Sequence, residues 1–299
     1  MCYYGNPEYT KRKRKDKYRF SEPDIKALAK IFFPKTLALN IGAAAEATVH
    51  KNFVDIILLA KQYKVPSVSL TTNGQKLTSA EISSIVSSGL NEIILSVHGV
   101  SPETYEHFMG NAKFSKLLEV LDKVKLEKDR AGTNLPEIRL NYTANPSNFR
   151  ELKDLVARFK SYDITTLQVR PVVDIPDAPY EWEDFSPYRK EYDEILRSVF
   201  RDCHKNGIRL LATFSDPTLK KRKRKHNPRA SILDMVLRPI KPGVVWKKNF
   251  DWQNETYREY CRRISYRSEL LKYALFPARW IHHKDIEKED IYLTYDVMS

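Results

Sequence analysis

The chain has 299 residues, 42% hydrophobic and 30% charged, enough to bury the core of one large domain or two modest ones. It has no run of about 18 apolar residues, so no helical membrane span is expected. CYYGNPEY followed by a basic run lacks the apolar middle of a secretory signal, which makes the cytoplasm the expected compartment. The net charge of +13 raises the question of an anionic partner, and three widely spaced cysteines, Cys2, Cys203 and Cys261, form no disulfide framework.

Residues 1–20 are polar, basic and tyrosine-rich and read as loop. Ser21, followed by Glu22 and Pro23, opens a helix whose stripe is Ile25, Leu28, Ala29 and Phe32, ending before Pro34. Three β-branched or aliphatic runs follow, TLALNI at 36–41, VPSVSLTT at 65–72 and EIILSV at 92–97. Between them Phe53, Ile56, Ile57 and Ala60, then Ile82, Ile85 and Val86, recur at helical spacing. The pattern is β-α-β-α-β with a parallel sheet. Ser101-Pro102-Glu103 opens another helix, and a longer one spans 115–130 with Leu117, Leu118, Leu121 and Val124 inward, ended by Gly132.

EIRLNYT at 137–143 is the fourth strand. Leu152, Leu155, Val156 and Phe159 form the next helix, capped by Ser147 or Asn148. TTLQVR at 165–170 is a strand ended by prolines at 171, 176 and 179. A helix with Tyr192, Ile195, Leu196, Val199, Phe200 and Cys203 then leads through Gly207 to a sixth strand, IRLLATF at 208–214. Beyond Ser215 the pattern breaks. Helix is expected within 257–274, and IYLTYDV at 291–297 suits an edge strand. The organisation expected is one α/β domain over 1–214 and a C-terminal extension of unassigned fold over 215–299.

Two basic runs, KRKRKDKYR at 11–19 and KKRKRK at 220–225, supply much of the charge. They suit either a phosphate-binding patch or solvated loops. Neither is interleaved with the aromatic and glycine pattern of a single-strand RNA reader, so nucleic acid is a possible partner and solvated loops are the favoured reading.

Polar residues fall where parallel strands end, the edge at which βα loops converge and ligands bind. They are Glu46, Asn73 with Gly74, Ser96 and, later, Arg170. Asn141 lies between Leu140 and Tyr142, at the parity that points into a barrel. Each also has a plain structural reading: a loop carboxylate for Glu46, a turn for Asn73 and Gly74, a loop hydroxyl for Ser96 and an exposed cation for Arg170.

The order of these motifs resembles the radical S-adenosylmethionine (SAM) enzymes. GAAAEATVH at 42–50 stands where that family has a Gly-Gly-Glu-Pro type loop, with Ala47 in place of proline. Thr72-Asn73-Gly74 matches the end of its next strand, and SVHGVSPETYE from Ser96 matches the following one. GNAKF with a long helix, then a strand followed by Asn and an amphipathic helix, complete the order over roughly residues 2–173. CYYGNPEY is similar to the end of the family's Cys-x3-Cys-x2-Cys loop, which would make Cys2 a ligand of a four-iron–four-sulfur ([4Fe-4S]) cluster.

The resemblance implies a partial (β/α)6 barrel, α/β in class, and reductive cleavage of S-adenosyl-L-methionine to a 5′-deoxyadenosyl radical that takes a hydrogen atom from an unknown substrate. An external electron donor such as flavodoxin or ferredoxin is implied as partner. So are cofactor-binding roles for Glu46 (toward the cofactor's amino group), Asn73, Ser96 (toward its ribose or carboxylate), Asn141 and Arg170. The other two cysteines of the loop and the strand before it are not in the sequence, so the expectation is a chain that reads as an N-terminally incomplete member with impaired activity. The alternative is a cluster-less partial barrel that binds an anionic partner through its basic surfaces.

Overall fold

The computed structural model describes residues 20–42, 45–172, 183–212, 240–241, 244–245, 250–268 and 271. The chain divides into two compact units. The first comprises Met1–Arg12, Phe33–Ser215 and Tyr295–Ser299; the second comprises Lys13–Phe32 and Asp216–Thr294.

The first unit is built on six strands: β1 (Ala38–Ile41), β2 (Ser67–Thr72), β3 (Glu92–Ser96), β4 (Glu137–Ala144), β5 (Ile164–Pro171) and β6 (Arg209–Ala212). They lie in sequence order in one sheet, and every neighbouring pair is parallel. Parallel neighbours need a crossover, and helices supply it. These are α2 (Phe53–Gln62), α3 (Ser79–Ser87), α4 (Pro102–Met109), α5 (Phe114–Ala131), α6 (Leu152–Phe159) and α7 (Arg189–Lys205). The expected partial α/β barrel is the fold observed. All six strands form where the apolar runs stand. The expected strand from 65 begins only at Ser67, because Lys64 takes a left-handed turn and Val65 N–H closes the end of α2 by donating to Ala60 C=O.

Alternation in the strands sets two faces. Val68, Leu70, Ile93, Leu95, Ile138, Leu140, Tyr142, Val169, Leu210 and Ala212 are buried on the helix-bearing face, together with Ile57, Ile85, Leu117, Val124, Leu155 and Leu196 of the helices. The opposite, inner face carries most of the polar side chains, with Ile94 and Leu211 among its apolar members. Two close approaches hold its upper loops. Gly42 sits at φ +91°, where a Cβ would stand 2.3 Å from Thr71 O, and a Cβ on Gly99 would stand 2.4 Å from Tyr105 N.

One expectation fails at the start of α6. Neither Ser147 nor Asn148 caps it; a 3-10 turn, Phe149–Glu151, intervenes with no side-chain cap. Asn148 is fully buried and bonds its neighbouring loops instead. Its Oδ1 accepts from Asn145 N–H at 2.7 Å, and its Nδ2 donates to His98 O at 2.9 Å and Thr143 O at 3.1 Å.

In the second unit α1 (Glu22–Phe32) starts at Ser21, whose N–H and hydroxyl both donate to Asp24. A two-residue pair, β7 (Ile240–Lys241) and β8 (Val244–Val245), is antiparallel. Helix α8 (Tyr257–Arg263) opens with a Thr256–Glu259 capping box. Phe32, Phe250, Tyr257 and Tyr260 meet edge to face, with centroids 4.9–6.1 Å apart. The expected strand at 291–297 lies outside the described residues.

Tyr192 of α7 is 2% exposed among Phe149 and Phe185, and its hydroxyl has no hydrogen-bond partner among the described residues. Burying a hydroxyl without a partner costs free energy that an apolar isostere avoids. Tyr192→Phe is therefore expected to leave stability unchanged or raise it by up to about 1 kcal/mol in urea unfolding. A loss above that size would mean the hydroxyl has a partner.

Candidate functional site

The site is assembled at the carboxyl ends of the strands, and its first support is Glu46. In the loop after β1, Glu46 Oε1 accepts from Thr48 N–H (3.1 Å), Thr48 Oγ1 (2.7 Å) and Thr72 Oγ1 (2.6 Å). Its Oε2 accepts from Asn73 N–H at 2.7 Å. The carboxylate therefore clamps the first loop to the end of β2. Three donors saturate one oxygen, so only Oε2 keeps capacity for a further donor. Asn73 is likewise engaged locally. Its Oδ1 accepts from Gln75 N–H at 3.0 Å, an Asx turn beside Gly74 at φ +74°. Gln75 then ties this turn to Lys113, accepting from its N–H at 2.7 Å and donating to its C=O at 3.1 Å.

A second carboxylate does the same for the next pair of loops. Glu151, which no sequence motif singles out, accepts from Val100 N–H (2.7 Å), Ser101 Oγ (3.0 Å) and Thr104 Oγ1 (2.5 Å). It joins the loop after β3 to the turn before α6.

Below these loops the strand register lays side chains of the inner face in rows. Ser96 pairs with Asn141, Asn141 with Gln168, and Gln168 with Leu211. One step higher, Thr143 pairs with Arg170. The structure thus brings Ser96 and Asn141 side by side and sets Arg170 one row above, on the same strand as Gln168. Toward the amino ends the polar groups satisfy each other. Arg139 Nη2 pairs with Glu92 Oε1 at 2.8 Å, Arg209 Nη2 donates to Thr166 Oγ1 at 3.1 Å, and Asn40 Nδ2 donates to Ser69 Oγ at 3.0 Å.

The Ser96–Asn141–Gln168 row differs from the rows below it. Among the described residues none of the three side chains makes a hydrogen bond, Asn141 Oδ1 is buried without a partner, and Gln168 is 7% exposed. Buried polar atoms in folded proteins are almost always paired, so the orphaned Asn141 acceptor is an unused hydrogen-bonding capacity on the inner face that a donor group can complete. Gln168 was not singled out from sequence, because a glutamine inside TTLQVR looks like an ordinary strand residue. Its parity with Arg170, two positions on, is the signal that places it on the inner face.

His98 stands in the loop just past β3. Its Nδ1 accepts from Thr143 N–H at 3.2 Å. Burial, reinforced by the Arg170 guanidinium, lowers its pKa from 6.5 to about 3, so the ring is neutral. His50 accepts from Asn52 N–H at 3.2 Å and has no metal-ligating company among the described residues.

The cysteines fall as follows. Cys2 lies outside the described residues. Cys203 is buried in α7, where burial raises its thiol to about 12, and it behaves as a small apolar residue. Cys261 is half-buried on α8 of the second unit. Among the described residues no three His, Cys, Asp or Glu side chains converge as a metal site. A ligand set for an iron–sulfur cluster is therefore not found there, whereas the orphaned acceptor row fits a polar cofactor.

Comparison with known proteins agrees with this layout. Residues 1–128 match the family model described as the Radical SAM superfamily. A probable GTP 3′,8-cyclase of Saccharolobus solfataricus is 30% identical over 139 residues, 46% of this chain and 42% of that protein. Another, from Sulfolobus acidocaldarius, is 25% identical over 175 residues, 57% of this chain and 53% of its own length. The chain thus spans about half the length of the curated relatives it matches. Among solved structures, Streptococcus suis SuiB bound to S-adenosylmethionine superposes with a TM-score of 0.51 at 13% identity, covering 67% of this chain and 46% of that one. The structure described as native anSMEcpe with bound AdoMet and Kp18Cys peptide gives 0.50 at 16% identity, covering 63% and 54%. At such identities the likeness is one of fold.

Two outcomes follow from the site's supports. Glu46→Gln places an amide N–H₂ where the clamp needs an acceptor, and a loss of about 1–3 kcal/mol in urea unfolding is expected; an unchanged midpoint would show that the clamp does not form. For His98 the folded pKa of about 3 lies below the unfolded 6.5, so its contribution is complete above about pH 6.5 and is lost as pH falls toward 3. His98→Asn, which can keep an acceptor for Thr143 N–H, is expected to flatten the fall of melting temperature across that window. An unaltered pH profile would place the dependence elsewhere.

Proposed function

We propose that this chain, which belongs to the radical SAM superfamily, binds S-adenosyl-L-methionine at the carboxyl ends of β1–β5. The observation that carries the reading is the orphaned Asn141 Oδ1 beside Ser96 and Gln168 on the inner face. An amino or hydroxyl donor of the cofactor would complete that acceptor, and the Ser96 hydroxyl can donate to or accept from a ribose. The remaining lone-pair capacity of Glu46 Oε2 is available to a further donor, and the Arg170 guanidinium supplies positive charge one row above. Asn73 acts through its backbone, since its side chain holds the turn.

The chemistry such a cofactor supplies, together with a [4Fe-4S] cluster held in part by Cys2, is abstraction of a substrate hydrogen atom. Around it the protein contributes orientation and exclusion of water. Rigid support serves both, since the Glu46 and Glu151 clamps each hold a pair of loops at the carboxyl ends of the strands before any ligand arrives. The substrate reading is coarser. The relatives' name makes GTP the first compound to try, and failure to act on GTP would leave the cofactor reading intact.

The test is calorimetric titration of the full chain with SAM after anaerobic iron–sulfur reconstitution. Asn141→Leu removes the orphaned acceptor and is expected to weaken SAM about 10-fold or more, with Ser96→Ala smaller. Equal SAM affinity in both variants and the parent, with circular dichroism unchanged, would sink the assignment.

A further inference from the structure

Gln168 is the member of the inner-face row whose role the cofactor reading leaves open. It lies on β5, beyond Asn141 as seen from Ser96, with Leu211 of β6 next in the row. It is 7% exposed, and among the described residues its amide makes no hydrogen bond. A primary amide has two N–H donors and an acceptor oxygen, and burying it unbonded costs free energy that an aliphatic side chain avoids. The amide is unused hydrogen-bonding capacity in a place where burial makes such capacity costly.

The neighbouring strand supplies a cation. Arg209 opens β6 and shares the inner face with Leu211, since Leu210 and Ala212 are the buried, helix-facing pair. Gln168 pairs with Leu211, so Arg209 is its diagonal neighbour two residues below, roughly 8 Å away between Cα atoms from strand spacing and rise. Arg209 is exposed, and its one hydrogen bond runs from Nη2 to Thr166 Oγ1 at 3.1 Å. A guanidinium carries five N–H donors, so most of its capacity remains, and no carboxylate pairs with it among the described residues. The charges nearby agree in sign. From the Ile94–Arg139 row upward, the inner face of the described strands carries Arg139, Arg170 and Arg209 and no Asp or Glu. Arg139 is answered from the row below by Glu92, at 2.8 Å.

We propose that Gln168 and Arg209 form a subsite for an oxyanion of the substrate, a carboxylate or a phosphate, on the β5–β6 side of the cofactor row. An oxyanion accepts from the guanidinium and from the Gln168 N–H₂ together, and the amide oxygen stays available to a hydroxyl or amine beside it. Leu211, in the same row, offers an apolar contact to the carbon skeleton that carries the anion. A cationic substrate would meet three arginines on this face and is disfavoured. Calling the ligand a substrate rests on the SAM reading; the anion subsite itself does not.

The experiment is NMR line broadening of two probes, inorganic phosphate and acetate, titrated with the full chain after anaerobic iron–sulfur reconstitution. SAM affinity is measured calorimetrically on the same samples. At least one probe is expected to bind with a Kd of about 1–10 mM. Arg209→Gln should weaken it about 10-fold and Gln168→Leu about 5-fold. Arg209→Gln is expected to leave SAM affinity unchanged, and Arg197→Gln, an exposed arginine of α7, is the control that should change neither. Phosphate as the tighter probe supports a phosphate-bearing substrate, and acetate as the tighter one a carboxylate-bearing substrate. Circular dichroism verifies folding, and the exposed Arg209 position serves if Gln168→Leu does not fold. Failure of both probes to bind at about 50 mM, equal affinity in the parent and Arg209→Gln, or an equal loss in the control would each overturn the subsite. If SAM does not bind the parent, the cofactor reading fails by itself, and the probe titrations still decide the subsite.

Discussion

The two-residue period of a parallel strand is the constraint on which this barrel depends. Every second side chain faces helices and must be apolar, and every other one faces the interior of a barrel that is only partly closed. On β4 the alternation is complete: Ile138, Leu140, Tyr142 and Ala144 are buried, while Arg139, Asn141 and Thr143 look inward. A slip of one residue would put three polar groups under α5 and α6 and leave the aliphatic set facing the barrel interior. The same parity, carried across β3 and β5 by register, places Ser96 and Gln168 beside Asn141. The site is thus a by-product of how the sheet buries its other face.

Parity alone leaves the loops free, and two carboxylates remove that freedom. Glu46 and Glu151 each gather donors from segments that are distant in sequence, Thr72 and Asn73 in one case and Val100 to Thr104 in the other. Hydrogen bonds to a charged acceptor are worth about twice a neutral one, so each clamp holds a loop pair in one arrangement at little conformational cost to a later ligand. This changes the meaning of Glu46. It serves first as the fastening of the β1 loop, with Gly42 allowing the close approach to Thr71 O, and only its second oxygen keeps capacity for a further donor.

How far the sequence disclosed this follows from the range of each interaction. Strands and helices rest on local periodicity, and all six strands stand where the apolar runs predicted them. Helix stops were legible for the same reason, as with Gly132 at φ +60° after α5. Contacts made between loops were not. Asn148 suited a helix cap by its place before α6, yet its amide is fully engaged by three backbone groups from neighbouring loops. Gln168 went unnoticed because nothing local distinguishes it; only registration against Asn141, 27 positions away, reveals its company. The grouping of Lys13–Phe32 with Asp216–Thr294 is longer in range still, and no period could announce it.

That grouping changes the meaning of the charge. Read along the chain, 11–19 and 220–225 are two basic runs, each separately explicable as a solvated loop. Read by unit, most of both runs, together with the arginines of α8, belongs to one body that holds twice as many cations as anions, while the barrel unit is neutral overall. Field strength near a surface depends on how many like charges lie within about a Debye length, roughly 8 Å in physiological salt. A surplus spread over the whole chain would be screened piecemeal. Concentrated in the smaller unit, the surplus stands against half as many carboxylates in the sequence, whereas the barrel unit balances its own charge.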